Sequence, residues 1–177
     1  MPKSHVLRPL DVPVAVYLAL RPYAPYATLA GDLGISVSTA HQAVERLTFA
    51  ALLSPKSGGL RAVSVPELEE FLLHGVRYAF PVQRLRQKRG VPTAHSAPVL
   101  ARELDGQLDP VVWASPNGSI VGAEVKPLLP SAPELVERCP PVYEWLALID
   151  AIRIGTARDR GAAGRLLSHR LEAVHAS

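Results

Sequence analysis

The stretch GDLGISVSTAHQAVERL, Gly31 to Leu47, decides the reading of this chain. A glycine stands between two runs with helical spacing, and a serine follows it two residues later. Gly34 fits the position just past a helix, where a left-handed backbone is needed. Ser36 fits the cap of the next helix, where its hydroxyl can take a free amide hydrogen. Ala40, Ala43, Val44 and Leu47 then recur at i, i+3, i+4 and i+7, one buried stripe of a third helix over about 36–51. Ser38, His41, Gln42 and Glu45 share the same spacing on another face, which is polar.

Upstream, Asp11 is expected to cap a first helix and Pro13 to sit in its first turn. Val14, Tyr17 and Leu18 give that helix its core face. Pro22 and Pro25 break it. A second short helix is expected over Tyr26–Leu33, with Leu29, Ala30 and Leu33 inward and Ile35 pointing back to the core. Downstream, residues 51–54 and 60–65 read as short strands around the turn Pro55-Lys-Ser-Gly-Gly59, a hairpin spanning 52–65.

These residues resemble a known family. Ala30, Gly34, Ile35, Ser36, Thr39, Ala40, Ala43 and Val44 stand where helix-turn-helix proteins place their small, glycine and apolar positions. With the following hairpin, the pattern is similar to the winged helix-turn-helix of bacterial transcriptional regulators of the MarR and IclR kind, over roughly residues 10–75. The resemblance implies a third helix that enters the major groove of double-stranded DNA, with the hairpin as a wing. Gln42 can then contact adenine, and Ser38 and His41 can reach base edges. Thr39 and Arg46 are expected at phosphates, Lys56 and Arg61 of the hairpin at the backbone or minor groove, and Ser36 among the DNA-binding residues. The recognition helices of these families often carry an arginine in the first two turns. Here the polar residues are His41 and Gln42, which points away from strong guanine reading.

Charge is distributed to match. Residues 1–92 hold eleven Lys and Arg against six Asp and Glu, residues 93–152 three against eight, and residues 153–177 five against two. A basic first half and an acidic middle suggest different partners. After Pro66, with Glu67, Glu69 and Glu70 in its first turns, a helix carries Leu68, Phe71 and Leu72 and meets Pro81. Arg84, Arg86, Lys88 and Arg89 then cluster. They fit a second phosphate-contacting patch or a solvated connector equally well. Residues 90–98 read as a loop or linker.

The remainder reads as a small α+β region. Residues 99–104 suggest a short helix, and Asn117-Gly118 between apolar runs signals a β-hairpin. Tyr143–Ile154 and Thr156–Val174 suggest two helices. Trp145, Ile149 and Leu166 are candidates either for a dimer contact or for the core of this half. The expected fold class is therefore mainly α with small β-hairpins, an α+β chain. Its parts are a winged helix-turn-helix over 1–79, a basic connector and loop over 80–98, and an effector or dimerisation region over 99–177.

Composition excludes several alternatives. No apolar run reaches the length needed to span a bilayer, and the first residues lack the apolar core of a secretory signal, so a cytoplasmic location is expected. Cys139 is the one cysteine among 177 residues, so neither an intramolecular disulfide nor a multi-cysteine zinc site can form. No phosphate-binding glycine loop and no His-x-x-x-His pair is present. His95-Ser96 lacks a third partner for nucleophilic chemistry. Glu124, Glu134 and Glu144 are the carboxylates that an acidic-half active site would use. The expectation is a transcriptional regulator, a repressor acting as a homodimer, with no cofactor, no metal and no catalytic residue. The C-terminal half would take a small-molecule effector or a protein partner. The alternative is a DNA-binding antitoxin or protein-interaction module whose acidic half binds a partner protein, and a small enzyme with an accessory helix-turn-helix is a third reading.

Overall fold

A computed structural model describes residues 5–55, 61–104 and 108–175. The chain is mainly helical with two small sheets, an α+β arrangement. Helix α1 (Asp11–Leu20) packs against α2 (Tyr26–Leu33) and α3 (Val37–Phe49). Every residue of α1 from Asp11 to Ala19 is buried, so this helix has no solvent face. A helix that is apolar all round belongs at the centre of a fold. The sequence reading gave α1 only one core face.

Asp11 is the first residue of α1 rather than its cap. Its carboxylate accepts the Arg8 amide at 2.8 Å and turns inward to Arg46 of α3. Between α1 and α2, Asp32 accepts from the Tyr17 hydroxyl and the Arg21 guanidinium, both at 2.7 Å.

Gly34 takes the left-handed conformation at φ 68° and ψ 36°. The Ile35 amide donates to the Ala30 carbonyl and the Gly34 amide to that of Gly31, the paired closure of a Schellman turn. Ser36 then caps α3 by accepting from the Thr39 amide at 3.0 Å. Ala40, Ala43, Val44 and Leu47 are buried, as their spacing requires.

Strands β1 (Leu53–Pro55) and β2 (Arg61–Val63) pair antiparallel, Leu53 opposite Val63 and Pro55 opposite Arg61. The tip that carries Lys56 lies outside the described residues. Helix α4 (Val65–Glu70) continues through a π-helical turn at Phe71–Gly75 into α5 (Val76–Ala79).

The second sheet departs from expectation. Residues 87–92, expected within a connector and loop, form strand β3 (Gln87–Pro92). A 3-10 turn (Ala94–Ser96) and helix α6 (Pro98–Ala101) follow. Strand β3 runs antiparallel to both β4 (Val111–Ala114) and β5 (Ile120–Glu124), and β4 and β5 pair in parallel, closing a three-stranded barrel. The Asn117-Gly118 segment is therefore not a hairpin turn. Gly90 of β3 lies opposite both Ala114 and Ile120, so β3 occupies the place of the hairpin partner. The connection crosses β3 so closely that a Cβ on Gly118 would stand 2.1 Å from the Gly90 carbonyl carbon. Only glycine permits that approach.

A 3-10 turn (Ala132–Glu134) and helix α7 (Leu135–Arg138) lead to α8 (Pro140–Ile154) and α9 (Ala157–His175). Helix α8 is buried from Val142 to Ile152 apart from Glu144 and packs directly on α1. One apolar core thus runs from Val12 through Trp145 to Leu171. Trp145 and Ile149 lie inside it, at 1% and 0% exposure, and are core residues rather than a dimer surface. Leu166 is half-buried and packs on the core edge. Asp150 of α8 knits the parts together. It accepts from Thr93 at 2.9 Å and from the Trp113 indole at 2.6 Å, and it pairs with Arg153 at 2.6 Å. Arg153 in turn donates to the Phe80 carbonyl. Burial pushes the Asp150 carboxyl above its usual range, while Arg153, Trp113 and Thr93 act against that rise.

Candidate nucleic-acid interface

The polar face of α3 is the most distinctive surface of the first half. Ser36, Ser38, His41 and Gln42 are all exposed along one side of it, opposite the buried alanine and leucine stripe. Thr39 is half-buried, and its hydroxyl is engaged with Ser36 Oγ at 2.8 Å, so the pair forms a fixed cap. The His41 ring stacks on Tyr26, the first residue of α2, with centroids 3.6 Å apart. That contact restrains His41 before any ligand arrives. The sequence reading missed Tyr26, although a tight turn between two helices brings the start of one beside the outer face of the next.

Arg46 lines this surface but is not exposed on it. Its guanidinium donates through Nε and Nη2 to the two carboxylate oxygens of Asp11, at 2.8 and 2.6 Å, and the residue is 5% exposed. The expected phosphate contact from Arg46 is therefore corrected. Position 46 lies two residues past Val44 and one before Leu47, within the arc that faces α1, and the Asp11 carboxylate draws the charge inward. The hydrogen bonds that Arg46 donates to Asp11 raise its pKa further above its ordinary value.

A different cation takes that place. His5 and Arg8, both exposed, join Ser38, His41, Gln42, Glu45 and the buried Arg46 around a concavity of about 410 Å³. The His5 ring stacks on Phe49 at 4.3 Å, which lays the N-terminal segment along α3. The signal for this was present in the basic composition of the first residues, but nothing in the spacing ties that segment to α3.

The second basic group divides. Arg84 and Arg86 are exposed. Lys88 is bound to Glu124 at 2.8 Å, and Lys126 holds the other oxygen of the same carboxylate at 2.9 Å. Those two ammonium groups keep Glu124 below the usual carboxylate range. Arg89 donates to the Gly118 carbonyl at 3.2 Å, securing the crossing of β3. Lys88 and Arg89 thus serve the barrel, and all four residues lie on or beside β3, outside the concavity at α3. Arg61 is the first residue of β2.

Most of the candidate catalytic side chains have structural partners, although His95 Nδ1 is buried without one among the described residues. Glu124, Glu134 and Glu144 are each paired apart from the others, Glu124 with Lys88 and Lys126, Glu134 with Arg138 and Glu144 with Arg170. His95 bonds the Asp109 carbonyl at 2.9 Å, and Ser96 Oγ accepts the Val111 amide. Cys139 is buried. Among the described residues no group of three or more His, Cys, Asp or Glu side chains is placed to hold a metal ion, and no helix is long and apolar enough to cross a membrane.

No known family, curated protein or solved structure matches the chain.

Proposed function

We propose that this chain is a sequence-reading, double-stranded DNA-binding transcriptional regulator of the winged helix-turn-helix type, a repressor working in the cytoplasm as a homodimer. The observation that carries this reading is the exposed polar face of α3, fixed at its start by the Gly34 turn and the Ser36 cap. A helix held this way fits the width of a major groove, and Gln42 has the paired donor and acceptor that adenine matches. Ser36 and Ser38 supply hydroxyls at the same end. Arg8, with Arg84 and Arg86, supplies the cations for phosphates. The reading assigns no reaction to the chain.

A second reading is favoured by the exposed apolar residues at the two ends of α3, Val37 at 45% and Phe49 at 69%. A protein-interaction module, such as an antitoxin, would bury them against a partner. One experiment separates the two. Fluorescence anisotropy of a random duplex pool, followed by selection and a salt titration, yields an enriched motif and a steep salt dependence for a regulator. Absence of duplex binding at low salt rejects the regulator and leaves the interaction module.

A further inference from the structure

A cavity of about 690 Å³ opens between the three-stranded barrel and helix α7. Its size is that of a small-molecule site. Val91, Pro92, Pro98 and Val136 supply its apolar lining. Asn117 and Ser119, from the segment that crosses β3, bring polar groups to the rim. Tyr143 closes the floor, with its hydroxyl donated to the Pro92 carbonyl at 2.8 Å.

The charges in this cavity do not cancel. Arg138 is neutralised by Glu134 at 2.5 Å, one turn away on the same segment. Glu137 also lines the cavity and has no ion pair with any described residue. One negative charge is left beside an apolar wall, in the stretch of chain where acids outnumber bases eight to three. We infer that the cavity binds an organic ammonium ion with an apolar body, the cation at Glu137 and the body against Val91 and Pro98.

The same segment braces the turn before α3. Ser131 Oγ donates to the Leu33 carbonyl at 2.6 Å, the last carbonyl of α2. Arg138 Nη1 lies 2.7 Å from the point where a Cβ on Gly34 would stand. A ligand that fixes α7 therefore also fixes the turn that aims α3, whatever α3 touches. This is a coupling between two sites through one rigid element.

The test uses the full chain. Isothermal titration is run with phenethylamine, with 3-phenylpropionate as its anionic counterpart and with 2-phenylethanol as the neutral one. Phenethylamine is expected to bind with a Kd of about 1 mM or tighter, and the other two at least about tenfold more weakly. Glu137→Gln, at an exposed position, is expected to keep the thermal melt and to abolish the preference for the amine. Hydrogen exchange of the Gly34 and Ile35 amides is expected to slow on adding the amine. In Ser131→Ala the amine still binds, but the slowing is lost. Equal binding of all three probes, no binding of the amine at about 10 mM, or an amine affinity unchanged in Glu137→Gln overturns the site. Exchange unaffected by bound amine overturns the coupling. None of these readouts involves DNA, so failure here leaves the function proposed above untouched.

Discussion

Arg46 and Asp11 form a buried, two-pronged ion pair, 2.8 and 2.6 Å long, that fastens α3 to the start of α1. Thirty-five positions separate them in sequence. The pair engages the one arginine within α3 and leaves it only 5% exposed at the concavity. It also couples the orientation of α3 to the central helix of the core.

Removing one partner leaves the other charge buried and alone, at a cost of about 3–5 kcal/mol. Arg46→Ala and Asp11→Ala should each lose that much in urea unfolding. The double change Arg46→Met with Asp11→Leu should recover most of it, because the desolvation cost disappears with the charges. A loss below about 1 kcal/mol in either single variant would mean that the pair is solvated.

Two residues on the α3 concavity should separate base reading from phosphate neutralisation. Gln42→Ala should relax sequence preference by about 1–3 kcal/mol at one base pair and leave the salt slope unchanged. Arg8→Ala should weaken all duplexes alike and flatten the log-log salt slope by about 1. Arg46 should show no effect on that slope beyond the loss of folded protein. Salt titrations on the selected duplex and on a scrambled one check all three.

The turn before α3 has its own energetic signature. Ser36→Ala removes the acceptor for the Thr39 amide and should cost about 1 kcal/mol. Gly34→Ala forces a side chain into the left-handed region, which costs about 1–2 kcal/mol, and drives a Cβ against Arg138 and Ser131. Thermal unfolding of the two variants should rank Gly34→Ala as the less stable. The reverse order would show that the turn tolerates a Cβ.

Tyr143 provides a pH test of the barrel floor. Burial, with the nearby Glu144 charge, pushes its phenol from the usual 10.0 up to about 12. The folded state then holds its proton after the unfolded chain has released it. The stabilisation is complete below pH 10 and declines as pH rises towards 12. An absorbance titration at alkaline pH should lose one late-ionising tyrosine in Tyr143→Phe, while Tyr17, also raised by burial, keeps its own. The same variant should flatten the alkaline fall in stability. If the phenol lost in Tyr143→Phe is one that ionises near 10.0, the side chain is solvated.

The local pieces of the first half were legible because each has a short-range cause. Gly34 and Ser36 meet the demands of a helix end and a helix start within three residues of each other. The Ala40, Ala43, Val44 and Leu47 stripe needs nothing beyond the period of a helix. The exposed Ser38, His41 and Gln42 follow from that stripe by geometry. These readings depend on neighbours along the chain, and they hold in the structure.

What only the tertiary structure decided involves partners far apart in sequence. Position 46 looked like a phosphate contact until Asp11 drew it inward. Residues 87–92 are basic and contain Gly90 and Pro92, a poor match to a strand by composition, yet pairing on both edges makes them one. That strand in turn converts an Asn-Gly hairpin signal into a crossover between parallel strands. Helices α1 and α8 become the centre because each covers the other. Periodicity and capping are local and therefore written in order along the sequence, whereas charge pairing and strand pairing are settled by whichever distant group arrives within hydrogen-bond reach.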